Sequence, residues 1–397
     1  MGSDMRLLVV HNHYLSPGGE DQVYRTEIDL LRNHGVEVSE YSVHNNQIAS
    51  MNKIALGINT IWSQRAFQKM RTILAGFQPH LVHFHNIFPL LSPSVYYACH
   101  SASIPTVQTL HNYRLICASA TLFRNGRSCQ DCLNKPIPWP GIFHSCYQNS
   151  YLASFDVVAM LVFHRILSTW THRIDCYIAL TEFARQLFLS CGFPADKIAI
   201  KPNFVTPDPG SRQGDGLHAL FIGRLSSEKG LATLLNSWRS VQQIPLHIAG
   251  EGPERVRMRQ YIHENQLDKI TIKGQVERNE VIELIKDARF IVFPSQFFEG
   301  FPLVLAESFA CGVPVIASRL GAMAEIVTEG KTGLLFTPGD AEDLAAKVEW
   351  AWNHPAEMAE MGKAARREYE EKYTAERNYE MLMEIYRKAI ENHRRRR

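Results

Sequence analysis

Short apolar runs alternate along this chain with stretches of helical period. Residues 6–10 (RLLVV) suit a buried parallel strand, and residues 16–21 (SPGGED) make a turn. Residues 22–35 carry apolar side chains at Val23, Ile28, Leu30 and Leu31 and end on a glycine, the pattern of a helix and its stop. Residues 36–43 alternate like a strand, which completes a βαβ unit. Strand-like runs recur at 81–86, 105–111, 176–180 and 198–203. Six strands separated by helical stretches predict a mostly parallel, doubly wound sheet. Residues 202–216 hold three prolines and three glycines and read as a linker. The pattern then restarts with a strand at 217–223, a loop at 224–230, a helix at 231–241 and a strand at 245–250. Four more strands are predicted at 269–274, 289–295, 313–318 and 332–339. The predicted fold is α/β, with two Rossmann-like, doubly wound domains at 5–205 and 206–372. Residues 373–397 form a C-terminal helix with a basic tail, for which a return to the first domain is one option. Ligands bind beyond the carboxyl ends of such strands, so two domains facing across a cleft would hold the site between them.

Composition narrows the classes. The chain has 397 residues, of which 45% are hydrophobic and 21% charged, as in an ordinary globular protein. Lys and Arg number 42 and Asp and Glu 40, so no overall field recruits nucleic acid. No apolar run reaches 18 residues, so no spanning helix is expected. Residues 1–4 read as an added leader ahead of Met5, and no secretory signal is visible. The expected location is therefore cytoplasmic, with contact at the inner face of a membrane left open.

Two strings carry candidate chemistry. In FFEGFPLVLAE (297–307), Gly300 marks a turn and Pro302 the first helical position. That helix would point free N–H groups and its positive end at the mouth of the preceding strand, a natural anion site. Glu299 lies in the loop and Glu307 about one and a half turns into the helix. One carboxylate would meet hydroxyls at the reactive end of a ligand and the other a ribose. In GRLSSEKG (223–230), Arg224 offers a planar fork and Lys229 a point charge to phosphate oxygens. These two cations and the helix start would offset the charge of a departing diphosphate.

FIGRLSSEKG, IAGEGPE and the pair Glu299 and Glu307 resemble the sugar-donor domain of retaining GT-B glycosyltransferases of glycosyltransferase family 4. SPGGED, LVHFHN and TLHNYR resemble the acceptor domain of the same family. The resemblance runs over almost the whole chain and assigns roles at matching positions. It implies that Arg224 and Lys229 hold the diphosphate, that Glu299 binds sugar hydroxyls and that Glu307 holds the ribose. The backbone at Gly300, Phe301, Pro302 and Leu303 would meet sugar and phosphate, and Val276 the edge of the base. Gly18 and Gly19 would let the first turn approach the diphosphate, and His111 would lie against the donor sugar. The implied reaction is transfer of a hexose from a nucleotide sugar, with UDP and glucose as family priors, to a glycan or lipid-linked acceptor in polysaccharide synthesis. No cofactor is required, and the lack of any Asp-x-Asp fits a metal-independent enzyme. The alternatives are a silent nucleotide-sugar-binding scaffold, or an epimerase or oxidoreductase. The last needs a dinucleotide glycine fingerprint, and none follows the first strand.

Cys117, Cys129, Cys132 and Cys146 fall in an insertion at about 113–150. They fit a structural zinc site, or else disulfides or free thiols. His11, His13, His83 and His85, with no partner carboxylate in view, read as polar rim. Residues 58–77 read as an interfacial helix or as a helix packed on the first sheet, and residues 152–170 as a buried helix.

Overall fold

The computed structural model describes residues 5–15 and 18–396. Residues 1–4, read above as an added leader, residues 16 and 17 of the first turn and the last arginine of the tail lie outside the described residues. The chain divides into two compact units. The first comprises Met1–Leu122, Gln130–Pro202 and Asn378–Arg397, and the second Phe123–Cys129 and Asn203–Arg377.

In the first unit β1 (Arg6–His13), β2 (Glu37–His44), β3 (Leu81–Phe84), β4 (Thr106–Leu110), β5 (Cys176–Ala179) and β6 (Ile198–Ile200) form one sheet. The order is β2-β1-β3-β4-β5-β6 and every pairing is parallel. Leu7, Leu8, Val9 and Val10 are all buried, because helices cover both faces of a parallel sheet. Helix α1 (Gly19–Asn33) buries Val23, Tyr24, Ile28 and Leu31. Glu27 lies on the same stripe, so the fold takes a carboxylate into the core with the apolar face.

The apolar stretch at 58–77 is not one helix. It is split between α2 (Lys53–Ile61) and α3 (Gln64–Phe77). The break lies at Trp62 and Ser63, where the Ser63 hydroxyl caps α3 by accepting from the Ala66 N–H at 3.3 Å. Helix α4 (Tyr151–Ile166) buries Val157, Val158, Leu161 and His164, as expected of a core helix. Its opposite side departs from that expectation. Leu152 (73% exposed), Phe155, Phe163 and Ile166 (76%) form an outward stripe.

In the second unit β7 (His218–Ile222), β8 (Leu246–Ala249), β9 (Ile270–Gly274), β10 (Ala288–Phe293), β11 (Val315–Ser318) and β12 (Gly333–Phe336) form the other sheet. Its order is β9-β8-β7-β10-β11-β12, again all parallel. In the unit's own count this is 3-2-1-4-5-6, the Rossmann order, which reverses between β7 and β10. Helix α5 (Leu231–Trp238) closes one face with Trp238, whose indole N–H donates to the Ile244 carbonyl at 2.9 Å. Helix α6 (Leu303–Ala310) starts one residue later than predicted, with Pro302 still extended at ψ 114°. The last helix, α7 (Ala375–Arg395), buries Leu382, Ile385, Tyr386 and Ala389 in a cluster with Leu7, Val9, Ile28 and Leu31.

Two neighbouring carboxylates at the start of α1 sit in opposite environments. Asp21 accepts from the Gly18 N–H at 3.1 Å and from two histidines. Burial would raise it, but these donors outweigh burial and hold it at about 2. The carboxyl of Glu20 is enclosed, although its stem reaches the surface. Burial, followed by the charge of Asp21, pushes it up to about 8.

Two predictions follow from these local geometries. Gly230 (φ 73°) joins the loop to α5, and a β-carbon there would overlap the Pro294 carbonyl. Gly35 (φ 77°) has open space around it. In denaturant titrations Gly35→Ala therefore loses only the left-handed penalty of about 1–2 kcal/mol, and Gly230→Ala loses clearly more. Folded Glu20 keeps its proton to about pH 8, whereas the unfolded residue keeps it only to about 4.5. Folding takes up that proton between the two values, so its contribution is full below 4.5 and is lost as pH rises to 8. The stability difference between wild type and Glu20→Gln, measured from pH 5 to 8, should fall by at most about 1.4 kcal/mol per pH unit.

Candidate functional site

In the second unit the reversal of strand order brings the ends of β7 and β10 side by side, and the two loops that leave them meet. Lys229 Nζ lies 2.7 Å from Glu299 Oε1. Ser295, just past β10, donates its hydroxyl to the same oxygen at 2.8 Å. Lys229 also lies over the rings of Phe297 at 5.0 Å and Phe293 at 5.6 Å. The lysine is thus fixed by a carboxylate and two aromatic faces, yet remains partly exposed. Backbone bonds hold its loop in place. The Leu225 N–H donates to Glu251 O at 2.8 Å, the Glu254 N–H to Leu225 O at 2.9 Å, and the Gln296 N–H to Glu228 O at 2.8 Å. Gly252 lets this approach happen, because a β-carbon there would run into the Leu225 carbonyl.

Arg224 stands exposed at the end of β7 and makes no side-chain hydrogen bond or ion pair among the described residues. Phe301 and Pro302 are buried at the start of α6, and Leu303 is half-buried. The first N–H groups of a helix have no acceptor within it, so this end is available to an anion. Glu307 is buried one turn on, and Arg278 Nη2 lies 3.9 Å from its Oε1. Burial raises its pKa and Arg278 opposes the rise. Val276 is half-buried beyond β9.

In the first unit the strand ends carry histidines. His11 Nε2 and His13 Nδ1, on β1, lie 3.0 and 2.9 Å from Asp21 Oδ1. His83 Nδ1 and His85 Nε2, at the end of β3, lie 3.1 and 3.2 Å from Glu27 Oε1. Lys201 Nζ donates to Glu27 Oε2 at 2.9 Å and to Asn378 Oδ1 at 3.0 Å. His111, past β4, places Nε2 2.9 Å from His85 Nδ1. Burial, then the neighbouring His85 and His11, hold the His111 pKa well below the usual range. The polar-rim reading of these histidines is therefore corrected. His11, His83 and His85 are buried against carboxylates from α1. The signal was present, because alternate strand residues share one face and Asp21 and Glu27 fall on the inner side of a helix.

Gly18 and Gly19 begin α1 and are exposed, close in sequence to the Asp21 cap. The zinc reading on Cys117, Cys129, Cys132 and Cys146 is not carried by the geometry. Among the described residues, the sets of three donor atoms within 4.8 Å of one another are His11, His13, Asp21 and Glu27, His83, His85, and neither contains a cysteine. Cys117 Sγ meets Ser119 Oγ at 3.2 Å and Cys132 Sγ faces the Pro138 carbonyl at 3.8 Å. Sequence reasoning also missed Ser295, since a serine after a strand has no distinguishing spacing.

The sequence profile described as Glycosyltransferase Family 4 matches residues 13–209, and that described as Glycosyl transferases group 1 matches residues 208–368. A D-inositol 3-phosphate glycosyltransferase of Pseudarthrobacter chlorophenolicus is 34% identical over 167 residues, 40% of this chain and 38% of its own. An uncharacterized glycosyltransferase of Methanocaldococcus jannaschii is 28% identical over 174 residues, 44% of this chain and 49% of its own. The chain thus spans half or less of the length of the curated relatives it matches. Among solved structures, a sucrose-phosphate synthase from Thermosynechococcus elongatus aligns with a TM-score of 0.71 at 18% identity, covering 96% of this chain and 98% of that one. Anabaena HepE in complex with UDP and glucose aligns with a TM-score of 0.67 at 16% identity, over 96% and 98%. With two parallel sheets in the Rossmann manner and both profiles matched in succession, the chain belongs to glycosyltransferase family 4, the group 1 glycosyltransferases of GT-B fold.

Proposed function

We propose that this protein is a retaining hexosyltransferase that takes its sugar from a nucleotide sugar, UDP-glucose in the first instance. The observation that carries the reading is the Lys229–Glu299 pair at the point where the second sheet reverses its strand order. Lys229, Arg224 and the start of α6 balance the diphosphate, and Glu299 binds sugar hydroxyls. Glu307 accepts from the ribose, and the backbone at Val276 meets the base. The bond from the anomeric carbon to the diphosphate breaks while the acceptor oxygen bonds to the same face of that carbon. The acceptor proton passes to the leaving phosphate oxygen. Catalysis is then mostly positioning and electrostatic stabilisation, with cationic side chains in place of a divalent ion. HepE, whose structure holds UDP and glucose, supports the choice of donor.

We further infer that the acceptor is presented at an anionic membrane surface, in polysaccharide or envelope synthesis on the inner face. The support is the exposed stripe of α4 together with exposed apolar residues on the elements packed against that helix. Ile54 and Ile58 of α2, and Trp139 and Phe143 of the segment packed on α4, are also exposed. Lys53, Lys135 and Arg165 belong to the same elements and match anionic headgroups, while Asp156 lies against Gly57 between α2 and α4. No helix among the described residues is long and apolar enough to cross a membrane.

Three outcomes test these readings. Glu299→Gln should cut release of UDP from UDP-glucose by about 100-fold or more while UDP affinity changes little, as for a group that acts on the sugar. An equal loss of both would make Glu299 a binding residue alone. Lys229→Ala should weaken UDP and UDP-glucose binding together in calorimetry, and unchanged UDP affinity would remove it from the diphosphate. Leu152→Glu with Ile166→Glu, both on the exposed stripe, should leave the unfolding temperature unchanged. The pair should abolish sedimentation with phosphatidylglycerol vesicles, and retained binding would refute the surface.

A further inference from the structure

Inside the first unit four groups stand in line: Lys201, Glu27, His85 and His111. Their contacts are 2.9 Å from Lys201 Nζ to Glu27 Oε2, 3.2 Å from Glu27 Oε1 to His85 Nε2, and 2.9 Å from His85 Nδ1 to His111 Nε2. Lys201, Glu27 and His85 are almost wholly buried. Glu27 Oε1 and His85 Nε2 are buried and neither has a hydrogen-bond partner among the described residues, so the two atoms face each other across 3.2 Å. His83 also approaches Glu27, but its two nitrogens are met by Tyr386 Oη at 2.9 Å and Thr109 Oγ1 at 2.8 Å.

The arrangement leaves one consistent placement of protons. Burial would raise Glu27, but Lys201 and then His83 hold it well below the usual range, so it is an anion. Burial pushes His85 down to about 3 and also lowers His111, so both rings are neutral. A neutral imidazole has one N–H and one bare nitrogen. A bare Nε2 on His85 would set its lone pair against a carboxylate oxygen, so the proton sits on Nε2 and Nδ1 is bare. His111 must then donate from Nε2, which leaves its Nδ1 bare. That atom makes no hydrogen bond among the described residues, and His111 is half-buried.

We propose that Glu27 is a positioning residue that acts through His85 to hold His111 as its Nε2–H tautomer, so that Nδ1 meets the sugar-bearing substrate as a hydrogen-bond acceptor. The proposal rests on the sugar-transfer reading for the identity of that substrate, but the tautomer itself does not depend on it. Lys201 and Asn378 fix the far oxygen of Glu27, so the carboxylate cannot turn away. The same logic governs other histidines whose outer nitrogen is held by a carboxylate.

The test uses the full chain labelled with 15N-histidine. Long-range proton–nitrogen correlation reads the tautomer of each neutral ring, and His111→Asn identifies the signals of His111. The wild type should show His111 protonated at Nε2 and bare at Nδ1. Glu27→Gln paired with Lys201→Gln replaces two buried charges by two amides, so that neither charge is left alone. In that variant His111 should become a mixture of tautomers. Its kcat for release of UDP from UDP-glucose should fall about 10- to 100-fold while KM changes less than about twofold. A wild-type His111 protonated at Nδ1 overturns the proposal, even where the double variant fails to fold. So does a folded double variant with the wild-type tautomer and kcat. Stoichiometric uptake of zinc by the wild type, lost in Glu27→Gln, would also overturn it, because Glu27, His83 and His85 would then be metal ligands. If the wild type shows the expected tautomer but releases no UDP, the donor reading fails and the assignment of Glu27 stands.

Discussion

Parallel strands deliver all their carboxyl ends to one edge of a sheet, and each chain segment leaving that edge must share the same small surface with its neighbours. In the second unit β7 and β10 are adjacent although 65 residues of chain lie between Ile222 and Ala288. Their adjacency, rather than any local property of the loops, brings Lys229 to Glu299. In the first unit the same rule gathers His13 from β1, His85 from the end of β3 and His111 from the end of β4. Helices on both faces keep the strands dry, so polar groups concentrate where the helices stop.

Dry surroundings also make charge expensive, and the structure meets that cost by pairing. Glu27 is tolerated in the core because Lys201 and two imidazoles surround it. Glu20 and Asp21, adjacent in the chain, fall into opposite protonation states because only Asp21 has three donors on it. In the second unit, the Lys229–Glu299 pair needs no such enclosure, since Lys229 retains access to solvent. A cation that is held yet still wet can exchange part of its interaction for a ligand anion. One sealed in the manner of Lys201 can only support its neighbours.

The period of apolar residues made all twelve sheet strands legible, together with the restart after the linker. It also placed Glu299 before a helix and Glu307 within it. It was less informative where exposure depends on what lies opposite. The run at 152–170 is apolar except at a few positions such as Asp156, His164 and Arg165, and nothing in a period tells which side a neighbour covers. The single stretch at 58–77 hid a break that Ser63 makes by capping α3 while its own N–H turns to Ser92. The cysteine spacing matched a metal site in type, but ligation requires the sulfurs to converge, and spacing alone carries no convergence.

The sequence by itself determined which segments become strands and helices and where the glycine-bearing loops leave them. It also determined which side chains bear charge, because propensity and period act over a few residues at a time. Only the tertiary structure decided which of those charges meet. Lys201 and Glu27 are 174 positions apart, and His83 and Tyr386 are 303 apart. Their proximity is set by strand order and helix packing, which no local pattern encodes.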